Sequence, residues 1–156
     1  MDFDKIDRSI LRELQTNARI ANVELADKVG LSQSACSRRV AHLEQTGVIT
    51  GYQAVISNKA IGHTVTCIIH ITLSSQSEKA MLEFEQAAIK CPYIVACFLM
   101  SGESDYIARV NAKDMEDFEN VHRNWVSTLP HVIRIQTSFA MRSIVNLANV
   151  DISTIS

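Results

Sequence analysis

The sequence lacks any apolar run long enough to cross a membrane; nothing in it approaches the ~20 consecutive apolar residues a helical span needs. Its start, MDFDKIDRS, is acidic and polar and reads as no signal peptide, so a cytoplasmic chain is expected. Four cysteines are present (Cys36, Cys67, Cys91 and Cys97), but no CxxC pair, and each sits inside an apolar pattern. Buried free thiols in a reducing compartment are the expectation, not disulfides or zinc. His70, His122 and His131 lack metal-ligand spacing, so no metal site is expected. There is no nucleophile–base motif and no phosphate-binding glycine loop, so no catalytic residue is assigned and no cofactor is expected. Low-complexity segments are missing too. What remains is globular: 156 residues, 47% hydrophobic and 21% charged, enough for one or two small domains.

Also missing is a cationic excess. The net charge is −2, and residues 1–50 hold seven Lys/Arg against seven Asp/Glu. That balance does not advertise nucleic-acid binding. It matters because the stretch from Asn22 to Gly47, NVELADKVGLSQSACSRRVAHLEQTG, otherwise suggests it.

Leu25, Ala26 and Val29 fall on one helical face, and Gly30 stops that helix. Ser32 is placed to cap a second helix, in which Cys36, Val40 and Leu43 face inward. Its opposite face carries Gln33, Ser34, Ser37, Arg38 and Ala41, with no Glu or Lys until Glu44. A small, polar, once-cationic face suits a DNA major groove, where side chains donate to base edges and small residues permit close approach. Helix, glycine turn, helix is the helix-turn-helix layout, with the second helix as reader. The same pattern fits an ordinary corner between two core helices. If DNA is the partner, near-neutral charge implies weak binding by a single copy, because affinity tracks phosphate neutralisation. Several yoked copies are then expected.

Before this motif, residues 4–16 read as a helix with Ile6, Ile10, Leu11 and Leu14 buried and Asp2 or Asp4 as cap. After it, VITGYQAVISNKAIG reads as an extended connector that pairs with another strand, one from a second subunit being a candidate. From Thr64 the pattern becomes β, α, β, β, α, β, the split-βαβ, ferredoxin-like order. Val65, Cys67, Ile69, Ile71 and Leu73 alternate in the first strand, and Ser75 with Glu78 is a candidate capping box. Met81, Phe84 and Ala88 face inward from the next helix. A second helical stripe runs Met115, Phe118, Val121, His122, Trp125, Leu129, as core. The last strand alternates through Ile133, Ile135, Thr137, Phe139 and Met141. With both helices on one sheet face, Ile68, Phe98 and Ile107 are candidates for the uncovered face, which favours back-to-back dimerisation. The expected class is α+β: a three-helix (winged) helix-turn-helix domain at 1–50, a connector at 51–63, a ferredoxin-like βαββαβ domain at 64–145 and a tail at 146–156.

Three segments together carry a family resemblance. IDRSILRELQTNARIANVELADKVGLSQSACSRRVAHLEQTGVITGY resembles the N-terminal domain of the Lrp/AsnC regulators; SGESDYIARV resembles their G-x-x-D-Y-x-x-x-V hairpin; LPHVIRIQTSFAM resembles their closing strand. The resemblance covers roughly residues 3 to 145. It implies a bacterial or archaeal transcriptional regulator of amino-acid metabolism, nucleoid-associated, with a C-terminal RAM domain. It further implies dimers that assemble to octamers, and an amino-acid effector held where subunits meet.

Carried onto this chain, the resemblance assigns base-edge contacts to Gln33, Ser34, Ser37 and Arg38, and phosphate contacts to Arg39 and Lys28. The effector loop falls on Ser101, Gly102, Glu103, Asp105 and Tyr106, with Thr137 and Ser138 on the closing strand as ligand-facing hydroxyls. Gly102 would let backbone approach a ligand, and Asp105 would accept from a ligand ammonium or cap the turn. Ala21 stands where many members have Ser, which leaves Asn22 as the expected cap of the first motif helix. The loop pair Glu103 and Ser104 also departs from many members, so the effector's identity does not transfer. Two other readings stay open: an architectural DNA protein without an effector, and an enzyme built on the ferredoxin-like half, a superfold with many activities.

Overall fold

The computed structural model describes residues 3–144. Asp2 and the expected tail lie outside the described residues. The described chain divides into two compact units, one running to Val55 and one from Ile56 to Ile144.

The first unit is three helices: α1 (Lys5–Thr16), α2 (Asn22–Val29) and α3 (Gln33–Gln45). Asp4 caps α1, its carboxylate accepting from the backbone N–H groups of Ile6 and Asp7, both at 2.8 Å. Gly30 ends α2 at φ 71°, the left-handed conformation that glycine adopts without a Cβ penalty. Ser32 caps α3 by accepting from Ala35 N–H at 3.3 Å. Ile10, Leu11, Leu25, Ala26, Cys36 and Leu43 are the buried core, with Ile6, Leu14 and Val40 packed on it.

The cap of α2 departs from expectation. Ala21 occupies the cap position without a side-chain bond, and Asn22 is already helical. The Asn22 amide instead donates to the Gln33 carbonyl at 3.0 Å, tying the start of α2 to the start of α3. Residues 50–62 are exposed and, among the described residues, pair with no strand of this chain.

The second unit contains β1 (Val65–Leu73), α4 (Glu78–Lys90), β2 (Ile94–Leu99), β3 (Tyr106–Ala112), α5 (Met115–Val121), a π-helical turn (His122–Val126) and β4 (Val132–Phe139). The strands lie in the order β2-β3-β1-β4, with every neighbouring pair antiparallel. This is the ferredoxin-like sheet. Cys67, Ile69, Ile71 and Leu73 of β1 and Tyr106, Ala108, Val110 and Ala112 of β3 are buried against Phe84 and Ala88 of α4 and Phe118 and Val121 of α5. On the other face Phe98 lies opposite Ile107, and Ile68 opposite Arg109. The register thus sets Ile68, Phe98 and Ile107 on the face without helices, and Phe98 is 60% exposed.

Local irregularities correct several expectations. Ser77, not Ser75, caps α4, accepting from Ala80 N–H at 3.3 Å. The expected stripe through Trp125 breaks because α5 passes into the π turn, whose wider ring closes from Ser127 N–H to the His122 carbonyl at 2.9 Å. One extra residue per turn moves the inward position from 125 to 126. Val126 is buried, whereas Trp125 is 40% exposed and rests against Tyr93 at 5.9 Å between ring centroids. In β4 a bulge sets Val132, not Ile133, beside Leu73, and Ile133 turns outward. Met141 lies beyond the strand and is exposed. Cys36, Cys67 and Cys91 are buried thiols, burial pushing Cys67 up to about 11; Cys97, on edge strand β2, is exposed. Among the described residues no helix is long and apolar enough to cross a membrane.

An alanine Cβ at Gly30 would meet open space but would hold the left-handed backbone under strain. Gly30→Ala is therefore expected to destabilise the first unit by about 1–2 kcal/mol, measured by denaturant unfolding; an unchanged midpoint would contradict the turn geometry.

Candidate nucleic-acid interface and effector loop

Gln33, Ser34, Ser37 and Arg38 stand exposed on α3, at spacings that keep them on one face. Ser34 Oγ lies 3.3 Å from the capping Ser32 Oγ. Among the described residues the side chains of Gln33, Ser37 and Arg38 engage no protein partner. Four side chains able to donate hydrogen bonds, one of them a guanidinium fork, are thus presented together on a face of α3 that carries no carboxylate of its own, with Glu24 and Asp27 of α2 lining a concavity beside Gln33. Base edges and phosphates are the acceptors such a surface fits.

The other two expected DNA contacts are placed differently. Arg39 is half-buried and turned toward α1, where its guanidinium donates to Asp4 at 2.7 Å and Asp7 at 2.8 Å. Hydrogen bonds to Asp7, then Asp4, raise its already high pKa. Lys28 donates to Glu13 at 3.0 Å and lies 3.5 Å from Glu24; the Glu13 bond is the main cause of its raised pKa. Both cations are thus neutralised within the unit. The sequence offered no signal for the Arg39 pairing, since its partners lie 35 and 32 residues away.

Past the motif, Tyr52 Oη donates to Glu44 Oε1 at 2.8 Å, fastening the connector to the last turn of α3. Burial, then that bond, pushes the Tyr52 phenol up to about 12.

In the second unit the loop between β2 and β3 holds Ser101, Gly102 and Glu103 exposed. Asp105 behind them is buried and fully engaged. One carboxylate oxygen accepts from Leu73 N–H and the other from the Gln76 amide, both at 2.7 Å, while its backbone N–H donates to the Ile71 carbonyl. Of the two roles left open for Asp105, the side chain performs the internal one, joining the hairpin to the end of β1. Gln76 is the partner that sequence reasoning missed. Tyr106 is core: its ring packs 4.4 Å from Phe84 and its hydroxyl donates to Glu85 at 2.8 Å. Thr137 and Ser138 are separated by the strand's alternation. Thr137 pairs with Ile69 on the helix side, and Ser138 with Ile68 on the bare side. The exposed loop residues and the two hydroxyls therefore do not line one surface, and Ser104, bonded to His70 Nδ1 at 3.4 Å, is the loop side chain that reaches the bare face.

Residues 66–150 match the model of the Lrp/AsnC ligand-binding domain, and residues 3–50 match a winged helix-turn-helix DNA-binding model. The chain belongs to the Lrp/AsnC family. It is 45% identical over 117 residues to an uncharacterized HTH-type transcriptional regulator, y4sM, of Sinorhizobium fredii, an alignment spanning 75% of this chain and 92% of that one. It is 33% identical over 152 residues to the leucine-responsive regulatory protein of Rhizobium meliloti, covering 97% of each. Among solved structures it superposes with TM-score 0.90 on a transcriptional regulator from Neisseria meningitidis in complex with L-Met, at 30% identity and 96% coverage of both chains. This Lrp/AsnC protein is thus a transcriptional regulator and not an enzyme, with a DNA-binding helix-turn-helix unit, a ligand-binding unit and relatives in amino-acid metabolism.

Two outcomes follow from the bonded carboxylates. Asp105→Asn replaces one acceptor with an amide N–H that faces a donor, so the second unit should lose about 1–3 kcal/mol in denaturant melts; a wild-type midpoint would contradict the pairing. Backbone donation from Asp7, followed by Arg39, holds the Asp4 carboxyl below its ordinary 3.8. A depressed carboxyl stabilises the fold above its unfolded value and ceases to as pH falls through its folded one. Arg39→Gln should therefore melt lower than wild type at pH 7, with the gap closing below pH 3.8; a gap independent of pH would contradict the ion pairs.

Proposed function

We propose that this chain is a sequence-specific DNA-binding regulator of amino-acid metabolism, switched by an amino acid bound at a subunit boundary of its second unit. The observation that carries the reading is the acid-free face of α3. Gln33, Ser34, Ser37 and Arg38 contact base edges, while Arg39 and Lys28, first assigned to phosphates, act mainly by holding α3 and α2 on α1. Sequence preference comes from those edge contacts.

The first unit carries no cationic surplus, so useful affinity requires linked copies. The bare sheet face, with Phe98, Ile68 and Ile107, supports pairing of two second units, and dimers assembling further, to octamers in this reading. Two reader helices then enter successive major grooves one helical turn apart.

The L-Met complex of the Neisseria regulator supports an amino-acid effector. Ser101, Gly102 and Glu103, exposed on the β2–β3 loop, are its first contacts, completed by a second subunit; Asp105 and Tyr106 shape that loop from behind. The effector acts through its different affinity for two assemblies. The Tyr52–Glu44 bond is a route by which connector geometry reaches α3.

Operator binding measured with and without each of the twenty amino acids tests the switch. One or a few should change affinity, footprint or assembly; no change with any would leave an architectural DNA protein as the better reading. Arg38→Ala should cost about 1–3 kcal/mol of operator affinity and relax base preference. An undiminished preference would remove Arg38 from the interface. Gly102 has room for a Cβ within this chain. Gly102→Ala should therefore melt as wild type yet weaken effector binding several-fold in calorimetry; unaltered binding would move the site elsewhere.

A further inference from the structure

We propose that the outward face of α1 is a second phosphate-binding surface, which grips the backbone of a duplex segment that α3 does not read. The inference rests on the reading of the first unit as a duplex-DNA binder.

The charges of α1 are segregated. Its acids are turned to the neighbouring helices: Asp4 and Asp7 hold Arg39 of α3, and Glu13 holds Lys28 of α2. Lys5, Arg8 and Arg12, spaced i, i+3, i+7, share the side opposite the buried Ile10 and the half-buried Leu14. The neutral Ser9, Gln15 and Thr16 of α1 flank them. Among the described residues none of the three forms an ion pair. Lys5 and Arg12 are exposed, and the Arg8 Nε is shielded from solvent with no acceptor. A cationic strip of this kind is unexpected in a unit whose formal charges cancel, and it exists because the acids are engaged inward.

The strip matches a polyanion of regular spacing. From Lys5 to Arg12 the helix rises about 10 Å, and one DNA strand presents a phosphate about every 3.4 Å of axis. Three cations therefore meet about three phosphates. The edge of α1 that lies against α3 is the acidic one, which faces Arg39. In this proposal a straight duplex seated on α3 passes along that edge, where Asp4 and Asp7 stand. The segment that reaches them is another stretch of DNA.

The test compares wild type with the triple variant Lys5→Gln, Arg8→Gln, Arg12→Gln on two duplexes. One is short and carries only the operator; the other is several hundred base pairs long and carries the same site. The variant should match wild type on the short duplex in affinity and base preference. On the long one it should bind at least tenfold more weakly, with a salt slope reduced by up to about 0.9 per lost contact. The charge-retaining variant Arg8→Lys, Arg12→Lys should restore the long-duplex affinity and shows whether folding is at issue. Equal binding of triple variant and wild type on the long duplex overturns the inference. Equal loss on both duplexes also overturns it, placing the cations on the duplex that α3 reads. Failure of wild type to bind the short duplex overturns the DNA reading and this inference with it.

Discussion

The pairing of Arg39 with Asp4 and Asp7 governs what the first unit can offer DNA. It fixes the reading helix against α1 by contacts that do not depend on DNA being present. It also withdraws a cation that adjoins Arg38 in sequence and would otherwise be counted with it. Lys28 is withdrawn the same way by Glu13 and Glu24. The cations left outward are Arg38 on α3, the strip on α1 and Arg19 in the turn before α2, so a unit of zero formal charge still presents local positive surfaces. Ion pairs this close to solvent add only modest stability; their larger consequence here is geometric, since they decide which charges are available.

A parallel arrangement holds in the second unit. Asp105 reads in sequence as either a ligand contact or a turn residue, and the fold uses both of its oxygens to join a hairpin to the end of β1. What the loop then shows to the outside is Ser101, Gly102 and Glu103. Effector recognition in this reading belongs to a rigidly backed loop tip meeting another subunit, and the bare sheet face supplies the apolar surface for that meeting. In both units the residues that this reading assigns to function are ones left free after the fold has engaged their neighbours.

Periodicity made the architecture legible. α1, the two motif helices and the βαββαβ order follow from apolar spacing, and Gly30 and Ser32 mark the turn between the motif helices. Alternation even placed Ile68, Phe98 and Ile107 on the uncovered face. Features that break a period were not legible. The π turn shifts burial from Trp125 to Val126, and the β4 bulge exchanges Ile133 for Val132, because an inserted residue displaces the inward position locally. Caps failed where two candidates stood side by side, as with Ala21 and Asn22 or Ser75 and Ser77. Site residues were harder still. Arg39 and Arg38 are adjacent, yet one is bound to residues 32 and 35 positions away and the other is free. Thr137 and Ser138 are adjacent hydroxyls on opposite sides of a sheet. Local sequence carries residue type; the pairing that decides availability is long-range.

The central claim is that Arg38 reads DNA while Arg39 holds the reader. Arginine side-chain Nε–H resonances followed by NMR during titration with operator DNA test it most directly. The account predicts a large shift for Arg38 and an Arg39 resonance that stays in place, still paired with Asp7. A shift of Arg39 with Arg38 unmoved would contradict it.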